Sequence, residues 1–376
     1  MRIAINTRFL LKDKLEGIGW FTYEIATRLV AQRPQDEFLF FFDRPYDESF
    51  VFADNVQAIV LSPPARHPIL FYVWFESSVT NALEKYKADI FISPDNFCSL
   101  RTSVPTILVI HDLAYEHFPE QLRKRDLWYY SYFMPRFIQK ADHIITVSEY
   151  TKSDLLDKHS ISAEKISVAC NGCRPTFQAM HADKQEKIRA QYSDSKDYFF
   201  YIGAVHPRKN VHRLIAAFDQ FKEATQSNLK LLIAGRFSWQ TGKVKEAYDT
   251  ALYQTDIHFL GYVDDEILPQ LMGSAFALTY VSTFEGFGVP LLEAMHCEIP
   301  IITSGISSMP EVVEEAALLV DPFQVHSIAE AMKLCYEKKE LRQQLVEKGK
   351  VQRTKFSWEK ATEIVSDAIE RFNTKM

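Results

Sequence analysis

The chain has 376 residues, of which 47% are hydrophobic, 24% charged and 13% aromatic, enough apolar surface for large cores and far from the signature of disorder. At roughly 100 to 200 residues per domain, the length points to two domains. With 43 Lys and Arg against 49 Asp and Glu, the net charge is -6, which leaves no electrostatic footprint for nucleic acid, and no such partner is expected. No apolar run approaches the ~18 to 20 residues that span a bilayer, and the opening MRIAIN reads as a strand where a signal peptide would need a longer apolar stretch. The cytoplasm is the expected compartment. Five scattered cysteines (Cys98, Cys170, Cys173, Cys297, Cys335) argue against a disulfide framework, and Cys170-Asn-Gly-Cys173 lacks the second pair that a zinc site needs.

Apolar, β-branched and aromatic runs of strand length occur at residues 2–6, 38–42, 57–61, 89–93, 106–111, 143–148 and 165–170. Several are apolar on both faces, as buried parallel strands are. Helix-period stretches such as 20–33 lie between them, so this half reads as a βα-alternating parallel sheet with helices on both faces. A polar stretch at 181–195 separates it from a second series at 198–202, 229–234, 257–260, 276–281, 299–303 and 317–320. The expected architecture is α/β, with two Rossmann-like domains in tandem, 1–180 and 181–376, facing each other across a cleft. The last helical pattern, 358–372, follows no further strand and is expected to dock, with the first domain as the candidate surface.

Only 12 residues are Gly, about 3% against a usual ~7%, so their positions are informative. Gly17 and Gly19 follow the first strand. Gly203, Gly235 and Gly261 end the first three strands of the second domain, and Gly286 and Gly288 follow its fourth. Ligands of open α/β sheets bind outside the carboxyl ends of the strands, which is where this glycine is spent.

Two clusters accompany it. In Gly203-Ala-Val-His-Pro-Arg-Lys-Asn210 a strand end leads into two cations, Arg208 and Lys209, read as opening a helix, a combination suited to an anion. In Phe284-Glu285-Gly-Phe-Gly-Val-Pro290-Leu-Leu-Glu293-Ala-Met295, Pro290 suits a first helical position. There Glu285 falls in the loop and Glu293 early in the helix. Two carboxylates could also be a glycosidase acid and nucleophile, but the neighbouring features suit phosphate, which a glycosidase need not bind. No G-x-x-x-x-G-K-[ST], G-x-G-x-x-G, Asp-x-Asp or H-E-x-x-H occurs, so a kinase, a simple ATPase, a typical nicotinamide enzyme and a dedicated metal site find no support.

Assembled, these residues resemble glycosyltransferase family 4, the retaining GT-B transferases that use nucleotide sugars, over nearly the whole chain. The most specific part is the E-x7-E element from Glu285 to Glu293. It is joined by Gly17-Ile-Gly19, Val109-Ile-His111-Asp112-Leu113, Phe118-Pro119-Glu120, Thr146-Val-Ser148-Glu149, Asn171-Gly172, Pro207-Arg-Lys-Asn210 and Met309-Pro310-Glu311. The resemblance implies that Arg208 and Lys209 neutralise the donor diphosphate, that Glu293 binds the ribose hydroxyls, and that Glu285 contacts the transferred sugar. It further implies donor contacts by Gly203, Gly286, the backbone around Phe287 and Gly288, and the loop of Gly17 and Gly19, with His111 reaching sugar or acceptor from the first domain and no metal or other cofactor. Many relatives carry Arg after the glycine that ends the first strand of the second domain, where this chain has Ala204. The Pro-Arg-Lys-Asn subgroup often lacks that arginine and resembles bacterial mannosyltransferases of polysaccharide assembly, which makes GDP-mannose the first donor choice and a glycan or lipid-linked glycan the acceptor. Residues 122–140 mix basic and aromatic side chains, as an interfacial helix at an anionic inner-membrane surface does, although aromatics at helical spacing also serve a core. The competing functions are a sugar-nucleotide epimerase or hydrolase of the same fold, and a non-catalytic nucleotide-sugar-binding subunit.

Overall fold

The computed structural model describes residues 1–12, 14–237 and 242–373. The first apolar runs become β1 (Arg2–Asn6), β2 (Glu37–Phe42), β3 (Val56–Val60), β4 (Ile90–Ser93), β5 (Thr106–Ile110), β6 (His143–Thr146) and β7 (Ile166–Val168). They pair in parallel in the order β3-β2-β1-β4-β5-β6-β7. β4, β5 and β6 are buried at every residue, which is why their sequences run apolar without alternation. The second series forms β8 (Tyr198–Ile202), β9 (Lys230–Ala234), β10 (Ile257–Gly261), β11 (Ala277–Tyr280), β12 (Ile301–Ser304) and β13 (Leu318–Val320), again parallel, ordered β10-β9-β8-β11-β12-β13. Counted within its own sheet, the second has the strand order 3-2-1-4-5-6 of the Rossmann fold, and the first has the same order extended by a seventh strand. The crevice where ligands collect therefore opens between β1 and β4 in one and between β8 and β11 in the other.

The chain divides into two compact units, Met1–Asn171 with Ser357–Met376, and Gly172–Phe356. The division falls ahead of the polar stretch 181–195, which is no linker. Ala182–Tyr192 is a helix of the second unit, tied down by Gln185 Nε2 donating to the Gly273 carbonyl at 2.9 Å and by an Arg189–Asp197 ion pair at 2.9 Å. The final helix, Trp358–Asn373, buries Trp358, Ala361, Thr362, Val365, Ala368 and Ile369 at helical spacing and lies against the first helix, Gly17–Gln32. Trp358 meets Phe21 edge-on at 6.1 Å, Arg28 pairs with Glu359 at 3.0 Å, and Arg33 pairs with Glu370. The chain thus completes its first unit with its last segment. No helix among the described residues is long and apolar enough to cross a membrane.

Glycine is a steric requirement where β8 and β9 end. Gly203 and Gly235 have φ of 141° and 142°, and a Cβ on Gly235 would lie 1.9 Å from the Gly203 carbonyl oxygen, so the two turns touch backbone to backbone.

Candidate active site

In the second unit, β8 leads through Gly203 into a single 3-10 turn, Pro207–Lys209, and the helix Val211–Thr225 starts only after it. Arg208 and Lys209 therefore precede the helix, whereas the sequence pattern predicts them at its opening. Asn210 makes the break. Its φ of 61° is one that Asn tolerates, and its buried Nδ2 donates to the carbonyls of Val281 at 3.0 Å and Pro322 at 2.7 Å. Thr283 donates to the Arg208 carbonyl from both its backbone N (2.8 Å) and its hydroxyl (3.0 Å). These bonds pin the cationic turn of β8 to the segment leaving β11.

That segment carries Glu285, whose side chain is 8% exposed. Its Oε1 accepts from Lys209 Nζ at 2.7 Å and from the Tyr280 hydroxyl at 2.9 Å, and Lys209 Nζ also donates to that hydroxyl at 2.8 Å. Arg208 donates to the Phe284 carbonyl at 2.8 Å and stands 3.6 Å from Glu285 Oε2. Burial alone pushes the Glu285 carboxyl up, but Lys209 and Arg208 outweigh it and hold it below the ordinary carboxylate range. Burial, reinforced by that carboxylate, keeps the Tyr280 hydroxyl well above the usual phenol range and thus protonated. The loop is braced from β12's side, since Ser307 Oγ accepts from the Glu285 backbone N at 3.1 Å and Ser308 Oγ donates to the carbonyls of Glu285 and Phe287 at 2.9 and 3.0 Å. Gly286 is buried in this loop. The Phe287 ring is buried 5.6 Å from Phe356, so Phe287 offers a ligand only its backbone. Gly288, at φ 98°, caps the helix Val289–His296 with Pro290 in its first turn.

Glu293 sits on that helix, almost fully buried. Its Oε1 is 3.2 Å from Arg174 Nη2, while Arg174 Nη1 holds Asp265 Oδ1 at 2.7 Å. Burial raises the Glu293 carboxyl above the ordinary range, with Arg174 offsetting part of the effect and Asp265 adding to it. The two glutamates are therefore tuned in opposite directions. Arg174 was missed by the sequence reading. Asn171-Gly172 beside it gave a signal, but nothing local says which carboxylates a lone arginine will meet.

In the first unit, His111 follows β5. Its backbone N donates to Asn96 Oδ1 at 2.8 Å, and its ring meets Phe21 edge-on at 5.2 Å. Nε2 lies 2.8 Å from the Pro94 carbonyl, an acceptor, which assigns the proton to Nε2 and leaves Nδ1 as an acceptor. Burial lowers its pKa, so the imidazole is neutral at pH 7. Gly17 and Gly19 both lie in the first turn of the Gly17–Gln32 helix, whereas the sequence pattern predicts them in the loop before it. The β1–β4 crevice holds a second feature not anticipated. Arg8 forms a buried ion pair with Asp95, and its guanidinium lies 4.8 to 5.5 Å from the rings of Phe9, Phe71, Phe75 and Phe97.

Residues 15–177 match the family model described as glycosyltransferase family 4, and residues 183–352 match that described as glycosyl transferases group 1. The O-antigen chain mannosyltransferase B of Escherichia coli is 27% identical over 363 residues, 94% of this chain and 95% of that one. The O-antigen chain mannosyltransferase RfbU of Salmonella typhimurium is 26% identical over 270 residues, 71% and 70% of the two chains. Among solved structures, sucrose-phosphate synthase of Thermosynechococcus elongatus has a TM-score of 0.80 at 17% identity over 100% of both chains. WaaG, a glycosyltransferase involved in lipopolysaccharide biosynthesis, has a TM-score of 0.78 at 16% identity, covering 98% of this chain and 99% of that one. These two likenesses show the fold, that of GT-B glycosyltransferases. With a family model on each half of the chain and the E-x7-E carboxylates set at the strand ends of its second sheet, the chain belongs to glycosyltransferase family 4 and is a glycosyltransferase.

Proposed function

We propose that the chain moves a hexose, mannose in the first instance, from a nucleoside-diphosphate donor to a polysaccharide or glycolipid acceptor with retention of anomeric configuration. The carrying observation is the Glu285–Lys209–Arg208 cluster at the β8–β11 crevice. Breaking the sugar–phosphate bond builds negative charge on the diphosphate and positive charge on the sugar. Lys209 and Arg208 supply fixed cations for the first, which is where preorganised electrostatics gains most. Glu285, kept ionised by those same cations, is a fixed anion for the second. Glu293 accepts hydrogen bonds from the ribose, His111 serves sugar or acceptor from the first unit, and no metal is called on. The mannosyltransferase relatives favour mannose, and GDP-mannose is the donor that follows. A thermal-shift screen of nucleotides, followed by assay of the stabilising donor with acceptor and NMR of the new linkage, tests this. Stabilisation by GDP and an α-linked product from an α-donor support it. An inverted product, or stabilisation by UDP alone, would overturn the mechanism or the donor respectively.

We further propose that the acceptor is met at an anionic membrane surface. The Lys124–Lys140 helix leaves Trp128 and Tyr132 63% and 45% exposed, stacked at 5.9 Å, with the Arg136 guanidinium 3.7 Å over Tyr132. The Pro68–Val73 helix adds exposed Ile69 and Tyr72, the latter 5.7 Å from Phe133. With Arg123, Lys124 and Arg125 at the start of the longer helix, the patch pairs apolar rings with cations. Cosedimentation with phosphatidylglycerol vesicles, lost in Trp128→Ala/Tyr132→Ala and absent with phosphatidylcholine, supports this. Indifference to both changes refutes it.

A further inference from the structure

Arg174 is a buried arginine that no step above uses. It lies in the segment entering the second unit, before the Ala182–Tyr192 helix, and ends on two carboxylates from distant parts of that unit. One is Glu293 on the helix after β11, at 3.2 Å, and the other is Asp265 in the segment after β10, at 2.7 Å. The guanidinium also packs 4.8 Å from the Phe177 ring, three residues on, so its plane is held as well as its charge. We propose that Arg174 is a positioning residue of the donor site, clamping the Glu293 carboxylate in the orientation that receives the ribose and joining it to the β10 strand end through Asp265. The inference rests on the reading of Glu293 as the ribose-binding carboxylate.

The geometry makes a structural role alone an incomplete account. A guanidinium that only filled space would not need one buried and one half-exposed carboxylate on its two terminal nitrogens, at 6% and 43% side-chain exposure. Glu293 is also a carboxyl that burial drives toward its neutral form, with Arg174 the cation opposing this and Asp265 working against it. The other titratable groups around it add no charge to help. Cys173 and Cys297 are thiols pushed up by burial, with Glu293 adding to the effect, and His296 is held neutral by burial and by Arg353. Arg353 spends its Nη1 on the carbonyls of Met295 and His296, at 3.0 and 3.2 Å. A protonated Glu293 offers the ribose one acceptor fewer. Loss of Arg174 should therefore weaken donor binding, and weaken it more as pH falls.

The test is donor affinity and turnover of the full chain between about pH 5.5 and 8.5, for wild type, Arg174→Gln, Arg174→Lys and Asp265→Asn, with unfolding midpoints for each. Expected are a roughly tenfold or larger rise in nucleoside-diphosphate Kd and donor KM for Arg174→Gln near pH 6, a smaller rise near pH 8, and kcat at saturating donor within about twofold of wild type. Arg174→Lys should restore much of the pH profile, because charge without the planar fork still opposes protonation, and Asp265→Asn should raise Kd less and without the added loss at low pH, because it loosens the guanidinium but removes a negative charge that disfavours ionised Glu293. Unchanged Kd in Arg174→Gln would overturn the inference, as would a loss independent of pH, shared by Arg174→Lys and matched by lowered unfolding midpoints. A wild-type chain that binds no nucleoside diphosphate would instead refute the donor-site reading itself.

Discussion

Replacing Lys209 by Ala separates what the cationic turn does for the fold from what it does for the reaction. Lys209 Nζ is 2.7 Å from Glu285 Oε1, with the two side chains 16% and 8% exposed. At an effective dielectric constant of ~20 the gross attraction at that distance is about 6 kcal/mol. Most of it repays desolvation, and removing one partner of a buried pair costs about 3 to 5 kcal/mol because the other charge is stranded. Here Arg208 remains 3.6 Å from the other oxygen and the Tyr280 hydroxyl still donates at 2.9 Å, so about 2 kcal/mol of stability is the expected loss. The barrier should rise more, by about 3 kcal/mol or roughly two orders of magnitude in kcat, since the cation on the departing diphosphate is also gone. Urea unfolding and kcat with saturating donor read the two effects. The double variant Lys209→Ala/Glu285→Gln should regain most of the stability, because the stranded charge is removed, and none of the activity. Wild-type kcat in Lys209→Ala, or activity recovered by the double variant, would refute the assignment of Lys209 to the leaving group.

Glu293→Gln should raise donor KM with little loss of kcat, a uniform-binding effect. Because the folded pKa of Glu293 is raised, its stabilising effect is fully present below its unfolded value of about 4.5 and is lost as pH rises through the folded value, so Glu293→Gln should be no less stable than wild type at pH 8; a large loss there would contradict the burial effect. Glu285, whose folded pKa is depressed, contributes stability above about pH 4.5 that disappears as pH falls through the folded value, so Glu285→Gln should narrow its stability gap to wild type on acidification in urea titrations at pH 7 and pH 4. Activity should survive EDTA, and a strict, reversible demand for Mg²⁺ or Mn²⁺ would show that something other than Lys209 and Arg208 stabilises the leaving group. Gly235→Ala should fail to fold or be destabilised by several kcal/mol, on the order of the strain from a Cβ set 1.9 Å from the Gly203 oxygen; a wild-type unfolding midpoint would mean the two strand ends do not touch.

The strands were readable because parallel strands buried on both faces leave continuous apolar runs, and each run at 2–6, 198–202 and the rest became a strand within a few residues. The final helix was readable as amphipathic, but its partner was not, since contacts such as Arg33 with Glu370 join residues over 300 apart. Glu285 and Glu293 stood out by spacing and by the glycines around them. Their opposite electrostatic settings did not, because those come from Lys209 and Arg208 in one case and from burial that Arg174 only partly offsets in the other, both set only by the folded sheet. The Pro207–Lys209 turn was read as the start of a helix because the left-handed Asn210 that separates them is set by carbonyls of Val281 and Pro322, far along the chain. Arg8 and Asp95 sit 87 positions apart with no motif around either.

The most direct measurement is nucleoside-diphosphate release from GDP-mannose by wild type and Glu285→Gln side by side, at saturating donor and acceptor, with GDP affinity determined for both. Expected are acceptor-dependent release by the wild-type chain and a fall of about a hundredfold or more in kcat for Glu285→Gln, with GDP affinity changed far less. Glu285→Gln turning over at the wild-type rate would contradict the proposed mechanism, since the carboxylate at the centre of the site would then have no part in transfer.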